Sequence, residues 1–279
     1  MKKVRTLGIT AGLLLAAILL VGCSEPEQTA ASSGQSSQGQ AGSSTLLDEI
    51  LERGVLRVGT TGDFNPISFR DPDTNERAGF DIELFTKLAE DLEVELEFVA
   101  TDWRSLVSGV AAGKYDITSN ASYNMARAKV AMYTLPVIHY ETVPLTLQEN
   151  APRFDSWDSI DQADVTVATT LGTVFEEQAK AIFENVEFRT VEAPARDFQE
   201  VLAGRAEVSI TSNVEAATLV QTYPNLVRID VDRSLYRRGG GLLVARGEQE
   251  LLNLLNTWIT LQEDNGFLPE LREKWLGTP

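Results

Sequence analysis

Strand patterns and helix patterns alternate along this chain from residue 45 onward, and this alternation limits the fold more than any other feature of the sequence. Residues 55–60 and 165–169 are rich in β-branched side chains and predict buried strands, whereas residues 81–92 and 249–263 carry apolar side chains at helical spacing. Such alternation predicts an α/β fold in which sheets of parallel strands carry helices on both faces.

Two similar segments indicate that the chain contains two similarly built halves. Residues 112–120 read AGKYDITSN and residues 203–213 read AGRAEVSITSN, and in each segment the letters ITSN end a predicted strand. Ligands bind beyond the carboxyl ends of the strands in open α/β sheets. Two lobes that face each other would therefore present Asn120 from one segment, and Ser212 and Asn213 from the other, to a single cleft.

The first 22 residues have the pattern of an export signal, in which basic residues precede an apolar run and small residues. The apolar run, residues 7–21, is shorter than the ~20 residues that a membrane-spanning helix needs. Cys23 follows the letters LVG, which resemble the lipobox of bacterial lipoproteins and imply a lipid-anchored protein in the periplasm or at the cell surface. A plain signal peptide with an unused thiol is the alternative. Residues 23–44, rich in Ser, Gln and Gly, predict a flexible tether.

Composition argues against several classes of function. The formal net charge of −17 disfavours nucleic acid and anionic lipid as partners, so we expect membrane contact only through the anchor. The single histidine, His139, and the single cysteine form no cluster with zinc spacing, and no glycine motif for a nucleotide phosphate is present. We therefore expect neither a metal nor a cofactor.

Two predicted helix starts carry groups that suit an anion. Asn124 is a good helix N-cap, and Arg127 follows in the first turn, where a guanidinium can hold a carboxylate with two hydrogen bonds. An exposed Arg without a role is the alternative. In the other half, Gly172 and Thr173 follow a strand and open a helix, offering backbone N–H groups and a hydroxyl, although an ordinary strand-to-helix turn has the same sequence pattern.

From Thr45 to its C-terminus the sequence resembles the family 3 bacterial extracellular solute-binding proteins, the polar-amino-acid binders of ABC importers. The matching stretches are GVLRVGTT, AGFDIELF, W-x-x-L-x-x-G-x-x-A-G-K-Y-D, S-x-x-x-x-R ending at Arg127, and LGT-x-x-EE-x-A. The resemblance implies a type II periplasmic-binding fold. Residues 45–142 and 239–279 would form one lobe and residues 143–238 the other.

The resemblance also implies a hinge between the lobes, the binding partners and the residues of the ligand site. Crossovers near residues 141–145 and 237–241 would act as a hinge. The partners would be a small carboxylate or amino acid and an ABC permease, and the protein would be a monomer. Arg127 would grip the ligand carboxylate. The other residues expected at the ligand are Asp63, Phe64, Trp103, Asn120, Ser122, Gly172, Thr173, Ser212 and Asn213.

One position departs from the family pattern. Members that bind α-amino acids commonly carry an Asp where this chain has Ser212, and that Asp pairs with the α-ammonium. Either Asp63 or Glu141 holds the ammonium instead, or the ligand is not an ordinary α-amino acid.

Because of this departure, a second resemblance has to be considered. The sequence also resembles the cyclohexadienyl dehydratases, enzymes with the same fold that convert prephenate or arogenate to aromatic products. The shared features are GVLRV-x-TTGD followed by Phe64, and the stretch 153–162. This resemblance implies a Glu general acid near the start of the helix after the Gly-Thr turn. Glu176 is the candidate, unless Phe175 takes the inward position. We expect a binding protein, with the dehydratase as the alternative.

Overall fold

Helices and strands follow one another along the chain much as the alternating sequence patterns predict. The computed structural model describes residues 44–233 and 235–277. The predicted export signal, Cys23 and the predicted tether as far as residue 43 lie outside these ranges. Within them, no helix is both long enough and apolar enough to cross a bilayer.

The regular elements of the described ranges are ten α-helices, fifteen strands and one short 3-10 helix, Ala151–Arg153. The helices are α1 (Leu46–Arg53), α2 (Phe80–Asp91), α3 (Leu106–Ala111), α4 (Met125–Ala128), α5 (Trp157–Ile160), α6 (Val174–Ile182), α7 (Asp197–Leu202), α8 (Asn213–Thr222), α9 (Gln249–Asp264) and α10 (Phe267–Leu276). The strands are β1 (Val55–Thr60), β2 (Asp63–Phe64), β3 (Ser68–Arg70), β4 (Arg77–Ala78), β5 (Glu95–Ala100), β6 (Ile117–Thr118), β7 (Ala121–Ser122), β8 (Ala131–Tyr133), β9 (Ile138–Leu147), β10 (Thr166–Thr170), β11 (Glu187–Val191), β12 (Val208–Ser212), β13 (Leu226–Arg228), β14 (Leu235–Gly241) and β15 (Leu243–Ala245).

The first large sheet has five strands in the order β5-β1-β6-β15-β8. Strand β1 pairs in parallel with β5 and β6, whereas β15 pairs antiparallel with β6 and β8. The sheet is therefore mixed rather than wholly parallel, because a strand from the C-terminal part of the chain enters it in the opposite direction. The short strands β2, β3 and β4 form a separate antiparallel sheet.

The second large sheet is also mixed, in the order β11-β10-β12-β9-β14-β7, and β13 pairs with β9 as well. Strand β10 is parallel to β11 and β12, while the long strand β9 is antiparallel to β12, β13 and β14. The two crossover segments predicted as a hinge, residues 141–145 and 237–241, lie in β9 and β14, which run side by side with Arg238 opposite Tyr140.

Helix α2 packs one apolar face against the core and thereby positions the end of β6. Phe80, Leu84 and Leu88 recur at every fourth residue, and each is 0% exposed, so one face of the helix is fully buried. Asp81 lies in the first turn of α2 and is also 0% exposed, and its Oδ2 accepts a hydrogen bond from the N–H of Asn120 at 2.7 Å. The helix thus fixes the backbone just after β6.

Burial raises the pKa of the Asp81 carboxyl to about 7, although the hydrogen bond from the Asn120 N–H acts in the opposite direction. Its second oxygen, Oδ1, is buried and accepts no hydrogen bond from any described residue. A proton on this oxygen is therefore favoured in the folded state, because an ionised carboxylate in an apolar site lacks the solvation that water gives it.

We expect the substitution Asp81→Asn to flatten the decline of the unfolding free energy between pH 5 and pH 7. The unfolded carboxyl titrates near ~3.9, below the folded pKa of about 7. Unfolding therefore releases a proton in this range. The contribution of Asp81 to the unfolding free energy is fully present below pH ~4 and is lost as the pH rises toward 7, by up to ~1.4 kcal/mol per pH unit. Urea unfolding at pH 5, 6 and 7 would measure how the unfolding free energy changes with pH in the parent protein and in Asp81→Asn.

Asp91→Asn, at the other end of α2, is the matched control. Burial acts to raise the pKa of Asp91, but hydrogen bonds from Lys87 and Trp258 outweigh it, and the pKa is lowered overall. This variant should therefore keep the slope of the parent protein between pH 5 and 7. Equal slopes for the parent and Asp81→Asn would contradict the assignment.

Candidate functional site

A pocket lies where β2, β6, β7 and β9 approach the start of α6 and the residue before α7. Its walls lie close together, because the centre of a water-sized sphere can occupy only about 10 Å³ between them. Its wall is built from distant parts of the chain and combines aromatic, amide, hydroxyl and guanidinium groups. The lining residues are Phe64, Trp103, Asn120, Ser122, Arg127, Tyr140, Thr173, Val174, Phe175 and Arg196.

Arg127 is a buried guanidinium in this wall, only 7% exposed. The side chain of Asn124 caps α4 as predicted, because its Oδ1 accepts hydrogen bonds from the N–H groups of Ala126 at 2.6 Å and Arg127 at 3.4 Å. The guanidinium donates from Nη2 to the carbonyl oxygen of Gly172 at 3.2 Å, and no carboxylate among the described residues lies within 4.0 Å of it. Since a buried charge without a counter-ion is costly, this group suits an anionic ligand.

Asn120 and Ser122 stand beside Arg127 in the wall, on the segment between β6 and α4. The Oδ1 of Asn120 accepts a hydrogen bond from the hydroxyl of Tyr140 at 3.3 Å, and its backbone N–H is held by Asp81. Its Nδ2 is buried and has no partner among the described residues. Buried donors are rarely left unpaired, so this amide is positioned to donate to a ligand.

The turn between β10 and α6 uses its polar groups within itself. The hydroxyl of Thr173 donates to the carbonyl of Thr170 at 2.7 Å and accepts from the N–H of Glu176 at 3.1 Å, which makes it the N-cap of α6. The N–H of Gly172 donates to Oε2 of Glu176 at 2.7 Å. Gly172 and Thr173 therefore reach the pocket region, but the N–H and hydroxyl predicted for an anion are already bonded.

Glu176 points toward this turn and toward its own helix. Besides accepting from Gly172, its carboxylate accepts at Oε1 a hydrogen bond from Nζ of Lys180, one turn later, at 2.7 Å. Phe175 lines the pocket instead. The inward position at the start of α6 thus carries an aromatic ring and not a carboxylate.

Asp63, Phe64 and Trp103 form the aromatic side of the site. The Nε1 of Trp103 donates to both carboxylate oxygens of Asp63, each at 3.2 Å. The rings of Phe64 and Trp103 meet edge to face with centroids 5.7 Å apart, a favourable geometry for aromatic pairs. Phe64 and Trp103 line the pocket, and Asp63 lies directly behind them.

Ser212 and Asn213, predicted to face the cleft from the end of β12, are not among the lining residues. Ser212 caps α8, since its Oγ accepts from the N–H of Glu215 at 3.0 Å. The Oδ1 of Asn213 accepts from the N–H of Glu141 at 2.8 Å, next to the predicted hinge. Both polar side chains serve the local backbone.

Sequence reasoning missed Arg196, which is 4% exposed and lies in the pocket wall. It joins separate parts of the chain. Its Nη2 donates to Glu215 at 2.7 Å, its Nη1 donates to the carbonyl of Asp63 at 2.6 Å, and its guanidinium carbon lies 5.5 Å from the ring centre of Phe64. Its partners are remote in sequence, so no local motif marks it. Tyr140 and Val174 also line the pocket and were not predicted.

No group of three or more His, Cys, Asp or Glu side chains suited to a metal ion occurs within residues 44–233 and 235–277.

The known proteins that are similar to this chain include both an enzyme and binding proteins. The cyclohexadienyl dehydratase of Pseudomonas aeruginosa is 31% identical over 231 residues, which cover 82% of this chain and 85% of that protein. The L-cystine-binding protein TcyJ of Escherichia coli is 26% identical over 233 residues, which cover 83% of this chain and 86% of that protein.

Among solved structures, the ancestral amino acid-binding protein AncCDT-1, described as a precursor of cyclohexadienyl dehydratase, matches the fold with a TM-score of 0.78 and 34% identity. The match covers 83% of this chain and 100% of that one. It confirms the prediction of a two-lobed α/β fold of the type II periplasmic-binding class.

The match to a family extends over nearly all of the described chain. Residues 56–278 fit the sequence profile of a single family, whose members are extracellular binders of solutes. The stretches noted above, from GVLRVGTT to LGT-x-x-EE-x-A, fall within or at the edge of this range. The chain therefore belongs to the bacterial extracellular solute-binding proteins, family 3.

Proposed function

We propose that this protein is the ligand-binding component of an ABC importer and that it captures an amino acid or a related small carboxylate in the pocket. The observation that carries the proposal is the guanidinium of Arg127, which is buried in the pocket wall without a carboxylate partner among the described residues. A ligand carboxylate supplies the missing charge and can accept two parallel hydrogen bonds from the planar guanidinium.

The remaining lining residues have roles that fit this ligand. Asn120 and Ser122 add hydrogen bonds beside Arg127, and the free Nδ2 of Asn120 supports this. Phe64 and Trp103 cover the apolar part of the ligand. Gly172 and Thr173 approach from the facing turn, and the carbonyl of Gly172 holds Arg127 in place. Asp63 orients Trp103, while Ser212 and Asn213 shape the second lobe behind the site.

Closure of the lobes around the ligand is part of the proposal. One lobe comprises residues 45–142 and 239–279 and the other residues 143–238, with the hinge in β9 and β14. Contacts between the two parts support closure: Asn124 donates to Glu177, and Arg127 donates to Gly172. A ligand that bonds to both parts stabilises the closed state by the difference in its affinity for the closed and open forms.

The place of action follows from the family and from the N-terminal sequence. Family members are extracellular solute-binding proteins, and a Haemophilus influenzae relative is named a probable amino-acid ABC transporter-binding protein, which supports a role in transport. We propose that Cys23 carries a lipid, that residues 24–44 tether the folded part to the membrane, and that the monomer delivers its ligand to a permease there.

We expect Arg127→Ala to lower the affinity for the best carboxylate ligand at least 100-fold, because it removes the counter-ion of the bound carboxylate. Calorimetric titration would measure the loss. A panel of amino acids and small organic acids, read by thermal stabilisation, first identifies that ligand. The matched control is Arg153→Ala, because Arg153 has an exposed side chain that pairs with Asp164 outside the pocket. Unchanged binding by Arg127→Ala in a folded protein would refute the site.

A dehydratase on the same scaffold is the second candidate, and the 31% identity to the Pseudomonas aeruginosa enzyme favours it. Such a reaction needs an acid that reaches the leaving hydroxyl. Among the residues that line the pocket none is an Asp or Glu, and the carboxylate of Glu176 is bonded to Gly172 and Lys180. The arrangement of these side chains supports binding more than catalysis.

We therefore expect the purified protein not to convert prephenate or arogenate to aromatic products, measured by absorbance of the product. We also expect Glu176→Gln to bind the ligand about as well as the parent, since Glu176 does not line the pocket. Turnover by the parent that is lost in Glu176→Gln would instead identify a dehydratase with Glu176 as its acid.

A further inference from the structure

Three carboxylates surround the guanidinium of Arg196 at the edge of the pocket. Glu215 is 2.7 Å away, Asp197 is 3.6 Å away and Asp63 is 3.8 Å away, measured between nitrogen and oxygen. All four side chains are at most 5% exposed. The cluster combines Glu215 and Asp197 from one lobe with Asp63 from the other, so it is complete only when the two parts of the chain lie close together.

Most of the hydrogen-bonding capacity of Arg196 is used within this cluster. Its Nε donates to the hydroxyl of Thr170 at 3.3 Å, its Nη1 to the carbonyl of Asp63 and its Nη2 to Glu215. A guanidinium keeps its charge at any pH at which the protein is folded. Arg196 is thus a permanent cation located among the carboxylates that would otherwise be available to a cationic group of a ligand.

Burial disfavours the ionised forms of two of these carboxyls. It raises the pKa of Glu215 to about 7 against the opposing effect of Arg196, and Asp197 adds to the rise. Burial also raises the pKa of Asp197, and the Oδ2 of Asp197 has no hydrogen-bond partner among the described residues. The adjacent guanidinium and the raised pKa values both lower the negative charge that the cluster presents to a ligand.

The charged groups that line the pocket are of one sign. Among the described residues, its lining holds two guanidiniums, those of Arg127 and Arg196, and no Asp or Glu side chain. Nδ2 of Asn120, which is buried and has no partner among these residues, is a donor as well. An ammonium is a donor without acceptor capacity, so a ligand ammonium next to these groups would lose its hydration and find no free carboxylate. A carbonyl, hydroxyl or second carboxylate would be accepted.

We propose that Arg196 serves as an internal counter-ion that occupies the carboxylate cluster, and that the pocket consequently prefers carboxylates whose second polar group accepts hydrogen bonds over the matching α-amino acids. The preferred class comprises 2-oxo acids, 2-hydroxy acids and dicarboxylates. This inference rests on the proposed binding function and narrows its ligand class. Arg196 is a specificity-determining residue in this account.

The test compares ligands that differ only at the second polar group. The pairs are pyruvate with alanine, 2-oxoglutarate with glutamate, and phenylpyruvate with phenylalanine, each titrated calorimetrically into the full-length protein at pH 7.5. The expected result is that the oxo acid of the best-binding pair binds at least 10-fold more tightly than its amino acid. Tighter binding of the amino acid would overturn the inference and leave the proposed binding function intact. Absence of binding by every member of the panel would overturn both.

Two variants of Arg196 separate specificity from folding. Arg196→Gln uncovers Asp63 and Glu215, so the preference for the oxo acid should fall at least 10-fold or reverse. Arg196→Lys keeps the cation and should keep the preference, which makes the inference testable even where the Gln variant does not fold. Arg233→Gln, at an exposed side chain, is the control. An unchanged preference in folded Arg196→Gln, or a reversed preference in Arg196→Lys, would contradict the role of Arg196.

Discussion

The burial of Arg127 without an ionic partner among the described residues is the feature on which the proposed site depends. Removing a guanidinium from water carries an effective cost of several kcal/mol, and a single peptide carbonyl, that of Gly172, recovers a part of it. The sequence around Arg127 keeps the group in place nevertheless: Asn124 caps the short helix α4, and the strands before and after the helix, β7 and β8, anchor the segment in the two sheets. A ligand carboxylate would offset the remaining cost, and the free energy recovered in this way would contribute to the affinity.

The same guanidinium connects ligand binding to the arrangement of the lobes. Arg127 belongs to the part of the chain before β9, and the carbonyl that it contacts, that of Gly172, belongs to the turn before α6. A carboxylate bound between them contacts both parts at once. Asp81 fixes Asn120 and Thr173 fixes the start of α6, so the two walls are rigid when they meet. Preorganised walls lower the entropy cost of binding, which favours a high affinity for a small ligand.

Local patterns predicted most of the fold and part of the site. Apolar periodicity placed most of the longer helices and strands, and the N-cap of Asn124 before Arg127 is a local signal that the structure confirms. The antiparallel strands β9 and β14 escaped prediction because their pairing partners are remote. Arg196 escaped for the same reason, since Asp63 lies 133 residues earlier in the chain. Ser212 lies at the end of β12 and its hydroxyl caps α8, so its place at the ligand stays a prediction.

A crystal structure of the protein with its tightest carboxylate ligand would show directly whether Arg127 binds the carboxylate. We expect the ligand carboxylate to lie in the plane of the Arg127 guanidinium with two nitrogen–oxygen distances of ~2.7–2.9 Å. We also expect Nδ2 of Asn120 to donate to the ligand. A ligand whose carboxylate is held elsewhere, with Arg127 still bonded only to the carbonyl of Gly172, would contradict the account.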